Sequence, residues 1–257
     1  MKKRTTINQV IAYIESLKES GQKEIEVDLR AVRGLRASAS AKRRAAPRKP
    51  IMAREASPPP GDRTVTVATA DGLAAIAQRI RACRSCRLCE TRTNTVPGQG
   101  NPQPELMFIG EGPGADEDEQ GLAFVGRAGQ LLTKIIAAMG FTRDDVFIGN
   151  IVKCRPPDNR VPEPDEMATC IPYLKEQIAL LKPTVIVCLG ATAVKGLFGD
   201  KVPGITKLRG TWMEFEGIEV MPTLHPAYLL RNPPAKKDVW TDMQAVVKRL
   251  GRTLPKK

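Results

Sequence analysis

Histidine is nearly absent from this chain: of 257 residues only His225 carries an imidazole. Chemistry that needs two imidazoles is therefore excluded. No stretch approaches the roughly 18 apolar residues of a membrane-spanning helix. No charged start leads into an apolar segment and a small-residue cleavage site, so the expected address is the cytoplasm. The one glycine-rich turn, Gly110-Glu111-Gly112-Pro113-Gly114, is not followed by the Gly-Lys-Ser/Thr of a triphosphate loop. Its spacing also departs from the dinucleotide fingerprint. Acidic charge is in deficit as well, with 28 Asp and Glu against 40 Lys and Arg.

A net charge of +12 directs attention to a polyanion, and it suggests association with the nucleoid within the cytoplasm. The charge is lopsided: the first 70 residues hold 15 basic and 7 acidic side chains, a surplus of 8. Ile7, Val10, Ile11, Ile14 and Leu17 recur at helical spacing, so residues 1–33 are expected to be a helical, basic segment. Residues 34–70 carry Lys42-Arg43-Arg44 and Pro58-Pro59-Pro60 with too few apolar side chains for a core. They are expected to form a disordered basic linker, either a phosphate-backbone tether or a solvated spacer.

A globular pattern is expected over residues 71–257. Leu73, Ile76 and Ile80 predict a helix running into a group of cysteines. Strands are predicted at residues 106–109, 146–152, 185–189 and 219–223. Helices are predicted at 129–139 and 167–181, the latter with Pro172 kinking it or marking its first turn. Alternating strands and helices imply an α/β fold with a central, mainly parallel four-stranded sheet flanked by helices on both faces. Ligands in such folds sit at the carboxyl ends of the strands. The turn at residues 110–114, Asn150 and His225 all fall there.

Six cysteines in a reducing compartment suggest metal or catalysis. Cys83 and Cys86 can be joined by Cys154 and Cys170, and four thiolates suit zinc or an iron–sulfur cluster. Cys89 is a competing ligand, and Cys188 reads as a small core residue in a strand. The acidic run Asp116-Glu117-Asp118-Glu119 follows the glycine turn and suits a helix start. A lone histidine is more often packed than catalytic. His225, however, shares a sheet edge with Asn150 and the glycine turn, and precedes Leu229, a candidate apolar wedge, and Arg231, a candidate phosphate contact.

Taken together, the motifs resemble the family 4 uracil-DNA glycosylases over roughly residues 73 to 250. The resemblance rests on Cys83-x2-Cys86-x-Leu88 with Thr91-Arg92, on residues 110–114, and on Phe124-Val125-Gly126-Arg127-Ala128-Gly129-Gln130-Leu131-Leu132. It continues through Asn150-Ile151-Val152-Lys153-Cys154-Arg155-Pro156-Pro157, Cys170-Ile171-Pro172-Tyr173-Leu174 and His225-Pro226-Ala227-Tyr228-Leu229-Leu230-Arg231. It implies the three-layer fold of that superfamily, a 4Fe-4S cluster on Cys83, Cys86, Cys154 and Cys170, and hydrolysis of the uracil–deoxyribose bond in base excision repair. The implied uracil pocket comprises Gly110, Glu111, Gly112, Phe124, Asn150 and His225. Phe124 would stack on the base, and Asn150 would hydrogen-bond its polar edge.

Uracil leaves as an anion, so His225 is expected to donate a hydrogen bond to its O2. Water delivery falls to Glu117 or Glu111, with Glu117 favoured slightly as the more movable side chain. Leu229, Arg231, Arg155 and Arg160 are expected to meet DNA. The expected partner is uracil-containing DNA, single- or double-stranded, with no membrane and a monomeric protein. Two alternatives stand beside this reading. One is a DNA-binding module with a structural four-cysteine site. The other is a relative that traps uracil-DNA covalently through an extra histidine, which this chain lacks.

Overall fold

A computed structural model describes residues 67–255. The segment expected over residues 1–33, and the linker as far as residue 66, lie outside the described residues. Helix α1, Val67–Ala82, begins inside the span expected as linker, so ordered chain starts before residue 71. A short α2, Leu88–Thr91, follows the first cysteines.

The expectation of a four-stranded sheet is corrected by the structure: the sheet is mixed and has six strands, in the order β1-β3-β2-β4-β6-β5. Strands β2 (Leu106–Gly110), β3 (Phe147–Asn150), β4 (Val185–Leu189) and β6 (Ile218–Thr223) pair in parallel. Strands β1 (Gln99–Gly100) and β5 (Met213–Phe215) close the two edges in antiparallel fashion. These edges are two and three residues long, too short to leave an alternating signature, yet they occupy the outer hydrogen-bonding groups of β3 and β6.

Strand side chains alternate between two cores, as a period of two requires. Leu106, Phe108, Ile148, Val185, Val187 and Met221 face one way. They pack on Leu132 and Ile136 of α4 (Arg127–Ala138) and on Val239, Met243 and Val246 of the helix over Lys236–Arg249. Met107, Ile109, Phe147, Ile186, Cys188 and Val220 face the other. There they meet Leu174, Ile178 and Leu181 of α5 (Pro164–Leu181) and Val194 and Leu197 of α6 (Ala191–Phe198). Burial on both faces explains why β2 and β4 read as unbroken apolar runs.

Helix α5 passes through Pro172 without ending, while Pro164 occupies its first turn. It stops at Lys182, whose φ of 45° is left-handed and whose N–H donates to the Ile178 carbonyl at 2.8 Å. A side chain there costs about 1–2 kcal/mol, which glycine avoids at the expense of about 0.4–1 kcal/mol of unfolded-chain entropy. Lys182 is exposed, so Lys182→Gly is expected to raise stability by about 0.5 kcal/mol in urea unfolding. A fall in midpoint would contradict this reading of the cap.

Candidate active site

The carboxyl ends of the parallel strands surround a pocket of about 520 Å³, within the usual range for small-molecule sites. Gly110 closes β2 and lies in register with Asn150, the last residue of β3. The turn after Gly110 is tied to the exit of β3: Ile151 N–H donates to Gly110 O at 2.9 Å and Val152 N–H to Glu111 O at 3.1 Å. A Cβ at Gly110 would collide with the Phe124 ring and the Asn150 amide, so glycine is what lets both approach the strand end. Phe124, Asn150 and His225 all line the pocket, and the Phe124 and His225 rings are 5.8 Å apart. Gly112 and Glu111 line it as well; Gly110 does not, but sits against Phe124 and Asn150.

Asn150 is only 1% exposed, and its Oδ1 has no hydrogen-bond partner. An orphaned buried acceptor costs about 1–3 kcal/mol, which a ligand donor would recover.

His225 follows β6 and caps the short helix Pro226–Arg231, its Nδ1 accepting from the Ala227 N–H at 3.1 Å. Burial, with a smaller push from Arg231, lowers its pKa to about 4. The ring is therefore neutral near pH 7. Because Nδ1 accepts, the proton sits on Nε2 and is free to be donated.

Two carboxylates border the pocket, and the structure separates their roles. Glu117, in the helix α3 (Ala115–Gln120), accepts from Gly114 N–H through Oε2 (3.1 Å) and from Val125 and Gly126 N–H through Oε1 (both 2.8 Å). The expectation that Glu117 is the more movable carboxylate is thus corrected: three backbone donors fix it. Asp118 is likewise buried, accepting from the Thr93 and Asn94 N–H groups. The acidic run is largely a device for holding loops. Glu111 is half-buried and accepts from the Thr192 hydroxyl through Oε2.

Leu229 requires a second correction. It is 1% exposed and packs in the core with α4, so it cannot act as a wedge without leaving that core. The exposed apolar side chains of this helix are Tyr228 and Leu230. Arg231 is exposed and lines the pocket. Arg155 donates through Nε to Asn159. Arg160, expected to meet DNA, lines the pocket, and both its terminal nitrogens grip Glu166, at 2.8 and 2.6 Å. Glu166 is wholly buried and also receives Arg87, the neighbour of Cys86; Arg160 first, then the Glu163 N–H and Arg87, hold its pKa down to about 2.

Cys83, Cys86, Cys89, Cys154 and Cys170 surround a second, much smaller cavity between α1, α2 and α5. All are free thiols. Burial pushes Cys170 up to about 11 and raises Cys154. N–H donors already point at sulfur: Arg92 Nη1 to Cys154 at 2.8 Å and Lys153 N–H to Cys170 at 3.3 Å. Among the described residues, no group of three Cys, His, Asp or Glu side chains is placed to hold a single metal ion. Cys188 is fully buried in β4.

Residues that the sequence left unremarked support this site. Lys153 is fully buried, its Nζ donating to Asn150 O and Gln177 Oε1. Arg143 reaches across to the carbonyls of Ala123 and Phe124. Lys153 stands inside the Asn150–Pro157 motif without its bonds being legible there, and Arg143 acts on carbonyls about twenty residues away.

A family model described as the uracil DNA glycosylase superfamily matches residues 97–244. The chain is 49% identical over 158 residues to a type-4 uracil-DNA glycosylase from Thermotoga maritima, covering 61% of this chain and 82% of that protein. It is 46% identical over 184 residues to a type-4 uracil-DNA glycosylase from Sulfurisphaera tokodaii, covering 68% and 84%. Against a type-5 uracil-DNA glycosylase from Pyrobaculum aerophilum the identity is 30% over 155 residues, covering 53% and 67%.

The state of His225 can be measured directly by nitrogen-15 NMR. The ring is expected to be the neutral Nε2–H tautomer at pH 6, with a midpoint near 4. Between pH 6.5 and 4 the unfolded chain binds a proton that the folded chain refuses, so this group lowers stability as pH falls through that window and contributes nothing above it. A midpoint near 6.5 would show the ring open to water.

Proposed function

The chain belongs to the uracil-DNA glycosylase superfamily and acts as a uracil-DNA glycosylase in DNA repair; we propose that the pocket at the strand ends binds the extruded uracil and is where the glycosidic bond is cut. The observation that carries this reading is the orphaned Oδ1 of Asn150 in the pocket that the Phe124 ring also lines. Uracil offers an N3–H to that acceptor and a carbonyl beside it for the amide donor. Cytosine presents the opposite order at the same edge. Phe124 supplies the stacking face.

In the reaction the C1′–N1 bond breaks with its electron pair going to uracil, leaving an oxocarbenium-like sugar. A neutral His225 donates through Nε2–H to O2 as negative charge grows there. Like any fixed donor in a dry site, it acts more strongly on the transition state than on the ground state. Water must then reach C1′. Glu117 is occupied by three backbone donors, so Glu111 is the carboxylate suited to orient that water, with Thr192 holding one of its oxygens. Arg231 and the exposed Tyr228, both at the pocket edge, are the groups of this helix placed to meet the DNA. Single- and double-stranded DNA both serve as substrate.

The cysteine cavity fits a 4Fe-4S cluster on Cys83, Cys86, Cys154 and Cys170. Four cysteine sulfurs from separate segments around one space are the donor set of such a multi-iron group. Bound there, such a cluster supplies structural cross-linking. The thiolates join the loop after α1 to α5, and Arg92 and the Lys153 N–H offset their charge.

Uracil release from a uracil-containing oligonucleotide separates the readings: turnover marks an enzyme, binding without release a module, and a stable adduct a trap. Asn150→Asp removes a donor and sets charge against a carbonyl, and is expected to slow uracil excision by roughly 10²–10³. An unchanged rate would take Asn150 out of the pocket. For the cysteine site, the purified protein is expected to be brown, with iron and sulfide, and Cys170→Ala to lose soluble yield before it loses chemistry. A colourless, zinc-loaded, fully active protein would overturn the cluster assignment.

A further inference from the structure

Phe124 holds a backbone conformation that an aromatic residue rarely adopts, with φ at 54°. Left-handed backbone costs a Cβ-bearing residue about 1–2 kcal/mol, so something must hold it. Arg143, in the loop between α4 and β3, donates from Nη2 to the Ala123 carbonyl at 2.6 Å and from Nη1 to the Phe124 carbonyl at 3.1 Å. The same Nη1 reaches Thr133 Oγ1 at 3.1 Å, and that hydroxyl donates to Gly129 O in the first turn of α4. From the opposite side Glu117 takes the next two N–H groups, those of Val125 and Gly126. A cation and an anion thus grip the turn on both sides of the ring.

Arg143 is half-buried and takes part in none of the ion pairs found among the described residues. Burial works against its charge, and Asp144 and Glu117 attract it without either forming an ion pair, so holding carbonyls this way is costly unless their position matters. Gly129 adds to the constraint, because a Cβ there would fall on the Phe124 carbonyl.

We propose that Arg143 is a positioning residue for the glycosylase reaction, clamping the strained Phe124 turn so that its ring is preset to stack on the extruded base. The proposal rests on Phe124 being the stacking surface. Arg143 touches no substrate; it acts through the carbonyls of residues 123 and 124. A lysine presents a single nitrogen in place of the two-nitrogen planar fork, and a methionine donates to neither carbonyl.

A double-mutant cycle tests this on the full-length protein, using single-turnover excision from a uracil-containing single strand. Arg143→Lys is expected to slow excision about tenfold and Arg143→Met roughly a hundredfold, the scale of a misplacement of about 1 Å. KM for the DNA should change by less than about twofold, since the phosphate-facing groups are untouched. In a Phe124→Ala background, either Arg143 change is expected to cost less than about twofold more. If Arg143→Met does not fold, Arg143→Lys carries the comparison. Equal losses in both backgrounds, or a loss confined to KM, would overturn the clamp. Normal excision by Phe124→Ala alone would remove the stacking reading, and the clamp with it, a result distinct from additive losses.

Discussion

The pocket depends on the parallel pairing of β2 with β3, which sets Gly110 opposite Asn150. Parallel neighbours end together, so their last residues, and the loops that leave them, share one rim. At that rim the absent Cβ of Gly110 creates the space that the Phe124 ring and the Asn150 amide enter. A shift of one residue in β3 would turn Asn150 to the opposite face and bring Gly149 or Ile151, neither able to hydrogen-bond a base through its side chain, to the rim. The backbone bonds from Ile151 and Val152 to Gly110 and Glu111 prolong the pairing past the strand ends and so hold the turn that carries Glu111 and Gly112.

Around this rim the interior charges are turned on the protein's own loops. Glu117 and Asp118 accept backbone N–H groups, Arg143 and Lys153 donate to backbone carbonyls, and Glu166 binds Arg87 and Arg160 together. Each is partly or wholly withdrawn from water, where a charge–dipole bond is stronger than on the surface and a broken one is costlier. A net charge of +12 therefore overstates the positive groups available to phosphate, since Arg143 and Arg160 are already committed. Arg231, exposed at the pocket edge, is better placed. Glu166 also connects the cysteine loop, through Arg87, to the pocket rim, through Arg160, so the two sites share one ionic strut.

The sequence by itself determined the four parallel strands, because buried strands must be apolar on both faces and Leu106–Gly110 and Val185–Leu189 carry that composition openly. It also put the glycine turn, Asn150 and His225 at one sheet edge, since each follows a strand. Only the tertiary structure decided the rest. The edge strands are too short for a period of two to register, and the helix over Lys236–Arg249 carries its apolar stripe among many charges. The separation of Glu117 from Glu111, the burial of Leu229, the commitment of Arg160 and the grip of Arg143 on Phe124 all depend on which backbone atoms stand nearby. A side chain's chemical type is written in the sequence, but the atoms that occupy its hydrogen bonds come from segments tens of residues away. Their positions are set by packing, which leaves no local pattern to read.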